Sequence, residues 1–206
     1  MMPREPVPQV WVVDDDAALG RSVVFLAQSA GWTARAYTSP EAFLADVDRA
    51  CPGCAVLDVR MPRMSGLELM QAMRSAGIAL PVIFITGHGD VALAVEAMKQ
   101  GARDFLEKPF RDQALLDAIA AAVRASEAQL ASAGRREEIE RRYALLTPRE
   151  REVARRVARG MPNKVIAREL AISDRTVQVH RTHVLEKMGV HSAAELANLL
   201  PGEPPG

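Results

Sequence analysis

A chain of 206 residues, with 26 lysines and arginines against 26 aspartates and glutamates, is long enough for two domains and carries no net charge. The balance is local rather than uniform: residues 1–134 hold 12 basic and 16 acidic side chains, residues 135–206 hold 14 and 10, which makes the back half a candidate for nucleic acid. No apolar run reaches the ~18 residues of a membrane-spanning helix, and the proline-bearing start lacks an apolar signal core, so the expectation is a cytoplasmic protein with no membrane partner.

In chain order, Val10-Trp11-Val12-Val13 reads as a strand that ends in the acidic run Asp14-Asp15-Asp16. Ala17 to Ala30 follows with Leu19, Val23, Leu26 and Ala30 at helical spacing, and Gly31 is its stop. Thr33 to Tyr37 is a second strand. Ser39-Pro40 opens a helix as cap and first helical residue. The apolar run Ala55-Val56-Leu57 delivers Asp58 to its end, and Pro62 and Ser65-Gly66 turn the chain. Ser65 with Glu68 forms a capping box for the next helix. Pro81 to Ile85 is a fourth strand ending at Thr86, Asp90 caps a helix to Gln100, and Asp104 to Glu107 is a fifth strand followed by Lys108-Pro109. Arg111 starts a last helix. Five alternations of strand and helix, joined by right-handed crossovers, predict a parallel, doubly wound, flavodoxin-like α/β sheet. No glycine-rich phosphate loop follows the first strand, which argues against a nucleotide site.

Asp14, Asp15, Asp58, Thr86 and Lys108 all fall at strand ends, where open α/β sheets build their sites. Three carboxylates brought together repel unless a cation joins them, and Mg2+, a hard ion that seeks oxygen, suits such a set. A lysine that pairs a carboxylate at rest and a phosphoryl group afterwards, with a threonine hydroxyl beside it, makes a carboxylate nucleophile equipped for phosphoryl transfer. The two cysteines, Cys51 and Cys54, lack a second pair or a nearby histidine, so core packing is preferred to a redox or zinc role.

These residues resemble the receiver domains of two-component response regulators over residues 8–125: Val13-Asp14-Asp15, Asp58, Met61-Pro62, Ser65-Gly66, Thr86 and Lys108-Pro109 match, with 43, 28 and 22 positions between Asp15, Asp58, Thr86 and Lys108. The stretch Ile85-Thr86-Gly87-His88-Gly89-Asp90 with Glu107-Lys108-Pro109-Phe110 is similar to the FixJ subgroup. The resemblance implies that Asp58 accepts a phosphoryl group from a sensor histidine kinase. It implies that Asp15 and Asp58 bind Mg2+ directly, Asp14 through water, and the backbone carbonyl of Arg60 as a further ligand. Thr86 and Lys108 would hold phosphoryl oxygens, Phe105 would turn inward as a switch, and the peptide before Pro109 would be cis.

Residues 126–144 are alanine-rich and charged, with Gly134 within, and read as a helical or flexible linker, with Leu130, Ile139 and Tyr143 hinting at a pairing helix. Over 145–200 an all-α unit of four helices is expected. Thr147-Pro148 with Glu150 is a capping box, Gly160 a stop, Asn163-Lys164 opens a short helix, Ala171-Ile172-Ser173 is a turn, and the next helix runs to Lys187-Met188 before Gly189. Leu146 to Glu150, Gly160, Asn163-Lys164, Ile166-Ala167, Leu170, Ile172-Ser173, Thr176-Val177, His180 and Lys187-Met188 resemble the LuxR-type helix-turn-helix of the NarL/FixJ class, with Pro162 where relatives carry serine. The helix after the turn would enter the major groove of double-stranded DNA. Gln178, Val179 and Thr182 fall where relatives read bases, Thr176 lies beside them, and Lys164, Arg175, Arg181 and Lys187 are expected phosphate contacts. For His180 and His183, three apart, a packed or phosphate-facing role is preferred to zinc.

The whole reads as a transcriptional response regulator, not an enzyme. It would pair as a homodimer on phosphorylation, with RNA polymerase left open as a partner. The rivals are a magnesium-dependent phosphatase with an aspartyl nucleophile, which would want an aspartate where Arg60 stands, and a DNA binder with a vestigial receiver.

Overall fold

The computed structural model describes residues 7–87 and 91–200. The expected cap Asp90, and His88 of the family-like stretch, lie outside the described residues. The chain divides into two compact units, Met1–Ala131 and Ser132–Gly206.

In the first unit β1 (Gln9–Val13), β2 (Thr33–Tyr37), β3 (Gly53–Asp58), β4 (Val82–Thr86) and β5 (Asp104–Glu107) form one all-parallel sheet in the order β2-β1-β3-β4-β5. β3 and β4 are buried at every residue, as the unbroken apolar runs demanded. Helices α1 (Ala17–Ser29), α2 (Pro40–Asp46), α3 (Gly66–Ser75) and α4 (Val91–Lys99) alternate with the strands, and α5 (Asp112–Ala144) follows β5. Two cores result, one on each face of the sheet. One gathers Trp11, Phe43, Leu57, Leu69, Met70 and Phe84; the other gathers Val10, Val23, Val56, Ile83, Leu115 and Ile119. Each large side chain removed from water in this way contributes about 1.5–3 kcal/mol before chain entropy is set against it.

The helix ends follow local chemistry. Asp16 accepts from the Ala18 and Leu19 amides at 2.8 and 3.2 Å and caps α1, and Ser65 and Glu68 close the expected capping box of α3. The alanine-rich segment is helical through Gly134, α5 being 33 residues long. Its buried positions Leu115, Ala118, Ile119, Ala122, Val123 and Ser126 fall on one face, and the buried Ser126 hydroxyl accepts from the Gly53 amide at 3.1 Å. Cys54 is wholly buried, which pushes its thiol up to about 12, and burial also raises half-buried Cys51. Both thiols therefore stay protonated near neutral pH, as core cysteines do.

In the second unit α6 (Pro148–Ala158), α7 (Asn163–Leu170), α8 (Asp174–Met188) and α9 (Ala193–Leu199) pack around Val153, Val157, Ile166, Val177, Val184, Met188 and Leu196. Ile139 and Tyr143 pack against this core, so their apolar spacing serves the second unit. Ala171 adopts a left-handed φ of 52° at the turn, and Gly189 at φ 67° ends α8. No described helix is long and apolar enough to cross a membrane.

Glu150 does more than cap α6. It is 4% exposed, its side chain accepts from the Thr147 amide at 2.8 Å, and Lys187 Nζ donates to it at 2.7 Å. Burial alone would raise this carboxyl; the ammonium and the cap bonds outweigh it and hold the pKa at about 2, against an ordinary 4.5. A carboxyl lowered on folding contributes stability that is complete above pH 4.5 and lost as pH falls toward 2. Hydrogen exchange of the α6 amides in the full chain should show protection falling across that window, and the Glu150→Gln variant should lose most of that pH dependence.

Candidate functional site

The carboxyl edge of the sheet gathers the acidic residues. β1 and β3 are in parallel register, Val13 opposite Leu57, so the residues that follow them emerge side by side. Asp14, Asp15 and Asp58 present carboxylate oxygens that all lie within 4.8 Å of one another; Asp14 and Asp58 are buried and Asp15 is exposed. β4 is in register with β3 on its other side and carries Thr86, 1% exposed, to the same edge. The Lys108 amide donates to the Thr86 carbonyl at 2.7 Å, and the Lys108–Pro109 peptide is cis. Phe105, half-buried on β5, packs against the core cluster that holds Phe84.

Lys108 makes the decisive contacts: its Nζ donates to Asp58 Oδ1 at 2.9 Å and to Asp14 Oδ2 at 3.1 Å. Burial pushes the Asp58 carboxyl above its ordinary value, and the charges of Asp14 and Asp15 add to that; the bond to Lys108 pulls the other way without cancelling it. Burial opposes the Lys108 ammonium, yet its bonds to Asp58 and Asp14 outweigh that and raise its pKa. One fixed cation thus faces three carboxylates, an imbalance characteristic of functional sites.

Backbone packing holds the acceptor loop. After Asp58 the chain loops out through exposed Arg60 and returns where the Gly66 amide donates to the Val59 carbonyl at 3.0 Å. A Cβ at Gly66 would lie 2.2 Å from the Asp58 carbonyl oxygen and 2.9 Å from the Phe84 ring, so only glycine allows α3 to start against this strand end.

The second unit presents α8 after the left-handed turn. Ser173 caps it, accepting from the Thr176 amide at 3.1 Å and sharing a hydroxyl bond with Thr176 at 2.8 Å. Lys164, Arg175, Thr176, Gln178, Val179 and Thr182 are exposed, and Arg181 is half-buried. Val179 is 47% exposed, an apolar side chain left on a helix surface. The Thr182 hydroxyl donates to the Gln178 carbonyl at 3.2 Å, which leaves its methyl as the group to offer outward. Asn163 joins Gln178 and Arg181 through side-chain hydrogen bonds of 2.7 and 3.2 Å, a link the helical spacing did not reveal. Pro162 provides no side-chain cap, yet α7 starts at Asn163 because the Val165 and Ile166 amides donate to the Pro162 carbonyl. Lys187, an expected phosphate contact, pairs its charge with buried Glu150 at 2.7 Å. Exposed His183 has its Nδ1 3.7 Å from the same carboxylate, and the described residues hold no three-group metal cluster besides the aspartates.

This fold and site define a receiver domain carried on the same chain as a helix-turn-helix unit. The model of the response regulator receiver domain matches residues 10–120, and that of the bacterial regulatory proteins of the luxR family matches residues 144–200. The chain belongs to the two-component response regulators that join a receiver to a LuxR-type DNA-binding domain and regulate transcription. It is 45% identical to the transcriptional regulatory protein FixJ of Bradyrhizobium diazoefficiens over 92% of this chain and 93% of that one, and 43% identical to the response regulator protein TodT of Pseudomonas putida over 92% and 84%. Among solved structures, the response regulator StyR is 39% identical with a TM-score of 0.86, covering 95% of this chain and 98% of its own. Full-length FixJ from B. japonicum is 43% identical with a TM-score of 0.59, covering 95% and 97%. Membership in this family of regulators sets the phosphatase reading aside and implies a histidine kinase partner and DNA binding.

The charge imbalance has a measurable consequence. A carboxyl whose pKa is raised on folding destabilises the folded state progressively as pH rises above its ordinary value, and in full above the raised one, so removing its charge should relieve strain at pH 7. Asp58→Asn, isosteric and neutral, should raise the melting temperature of the protein at pH 7 in the absence of divalent ions. Lys108→Met should lower it and should move the Asp58 carboxyl titration, followed by 13C NMR, to still higher pH.

Proposed function

We propose that Asp58 is the phosphoacceptor, and that its phosphorylation pairs two copies of the chain and so places two α8 helices on DNA. The observation that carries this is Lys108 bridging Asp58 and Asp14 at 2.9 and 3.1 Å, a cation already placed at the carboxylate that would react. An Asp58 oxygen attacks the phosphorus of the kinase's phosphohistidine, the P–N bond breaks, and the electron pair leaves with the imidazole. Lys108 then exchanges its carboxylate partner for a phosphoryl oxygen, and Thr86 donates its hydroxyl to another. Asp14, Asp15, Asp58 and the Arg60 carbonyl are the groups that would hold Mg2+, Asp14 through water. The donor set, three carboxylates with one ammonium between them, fits a hard dication, which when bound supplies the neutralising charge for the transferred group.

Phe105 is the switch that follows Thr86. The face it borders on α4 carries Val95 and Met98, each 48% exposed, beside exposed Lys99. Pairing there covers apolar surface and would be selected only in the phosphorylated form, since a modification shifts a population by its differential effect on the two states. On DNA, Gln178, Val179 and Thr182 read bases, with Thr176 beside them, while Lys164, Arg175, Arg181 and Lys187 position the helix on phosphates. The setting is the cytoplasm, with RNA polymerase as the partner through which transcription responds.

Acetyl phosphate with Mg2+ should add one phosphoryl group by intact mass and convert monomer to dimer in sedimentation. Asp58→Asn should abolish both, whereas Lys99→Glu should weaken the dimer and leave labelling intact. Equal labelling of Asp58→Asn, or operator occupancy by a phosphorylated monomer, would overturn the corresponding half of the scheme.

Binding should also fall steeply with salt, because each neutralised phosphate releases counterions. Arg175→Ala should weaken binding to all sequences alike and reduce the slope of log K against log salt by about one per half-site, read by fluorescence anisotropy.

A further inference from the structure

We propose that Asn163 is a specificity-positioning residue: it turns Gln178 so that the glutamine offers its amide N–H pair, not its carbonyl oxygen, to the base edges. This rests on the reading of α8 as the helix that enters the major groove. Three side chains from two helices carry the inference. Arg181 Nη1 donates to Asn163 Oδ1 at 3.2 Å, and Asn163 Nδ2 donates to Gln178 Oε1 at 2.7 Å.

The direction of this relay is imposed by chemistry. A guanidinium has donors and no acceptor, so the atom of Asn163 facing Arg181 must be its oxygen. The amide nitrogen of Asn163 is then the end that meets Gln178, and only the glutamine oxygen can accept from it. Each amide orientation follows from the one before, starting from the residue that cannot be reversed. Gln178 is left with Nε2 as the end turned away from Asn163.

The consequence is a bias in what Gln178 can read. An N–H pair complements acceptors in the major groove, guanine N7 and O6 or thymine O4, and meets cytosine N4 as donor against donor. Glutamine could otherwise swing its amide to suit either kind of edge. Arg181, held by the same asparagine, keeps further N–H groups for the DNA backbone.

Asn163→Asp reverses the relay. A carboxylate only accepts, so it keeps Arg181 and draws the Gln178 nitrogen inward, leaving Oε1 outward. The test is selection from a randomised duplex library by the full chain treated with acetyl phosphate and Mg2+, using wild type, N163D, N163A and Q178A. The base position read by Gln178 is the one whose preference Q178A loses. There the wild type should favour guanine or thymine over cytosine, and N163D should move that ratio toward cytosine by about tenfold, the scale of one good base-edge contact. N163A should flatten the preference at that position while preferences elsewhere and the salt slope stay as in wild type; it decides the matter if circular dichroism shows N163D unfolded. The same base preference in wild type and both Asn163 variants, with only a uniform loss of affinity, would overturn the inference. A wild type that enriches no sequence would overturn the DNA-reading assignment itself, and this inference with it.

Discussion

One ammonium shared between two buried carboxylates is the constraint on which the first unit turns. Lys108 is long enough to reach Asp58 and Asp14 together, yet a third carboxylate, Asp15, stands within reach of both. Three carboxylates against one ammonium leave this edge with an excess of negative charge. The two apolar cores on the faces of the sheet hold the strand ends in register and keep the excess charge in place. Stability gathered in the cores thus sustains a locally unfavourable site, which is how a preorganised receiver of charged groups can persist.

The second unit uses a buried carboxylate to the opposite end. Glu150 is as buried as Asp14, but it has a lysine, a backbone amide and a helix N-terminus around it. Its pKa is driven down where that of Asp58 is driven up. The sign separates the two roles. A carboxylate with more partners than burial demands is a structural tie, here joining α6 to α8; one with fewer is available for chemistry. Arg142 adds a second tie, donating to the Met188 carbonyl at 2.9 Å where α8 ends. α8 is therefore held firmly at its base while its exposed face stays free of the core.

Elements whose cause is local were legible in the residues. The five strands, the Ser65–Glu68 and Thr147–Glu150 capping boxes, the Ser39-Pro40 start and the Gly189 stop all appear where the spacing placed them, because caps and periodicity depend on neighbours three or four positions away. The strand-end placement of Asp14, Asp15, Asp58, Thr86 and Lys108 was equally legible, since a parallel α/β sheet delivers all its strand ends to one edge. The class of protein followed from those positions and from the helix-turn-helix pattern.

What depends on distant pairing was decided only by the tertiary structure. Lysine at position 187 looks on its helix like any basic residue that could face DNA; packing of α6 against α8 turns its charge to Glu150. Asn163 looks like a helix-opening residue, and only the crossing of α7 and α8 sets it between Gln178 and Arg181. Ile139 and Tyr143 have the spacing of a pairing helix, and the second core claims them. Gly66 reads as a turn residue, while its necessity comes from the Asp58 carbonyl pressed against it. The sequence by itself determined the elements, the strand-end chemistry and the family, because those are properties of short-range pattern. Which cation faces which carboxylate, and which side chain orients another, required the three-dimensional packing, because those contacts join residues far apart along the chain.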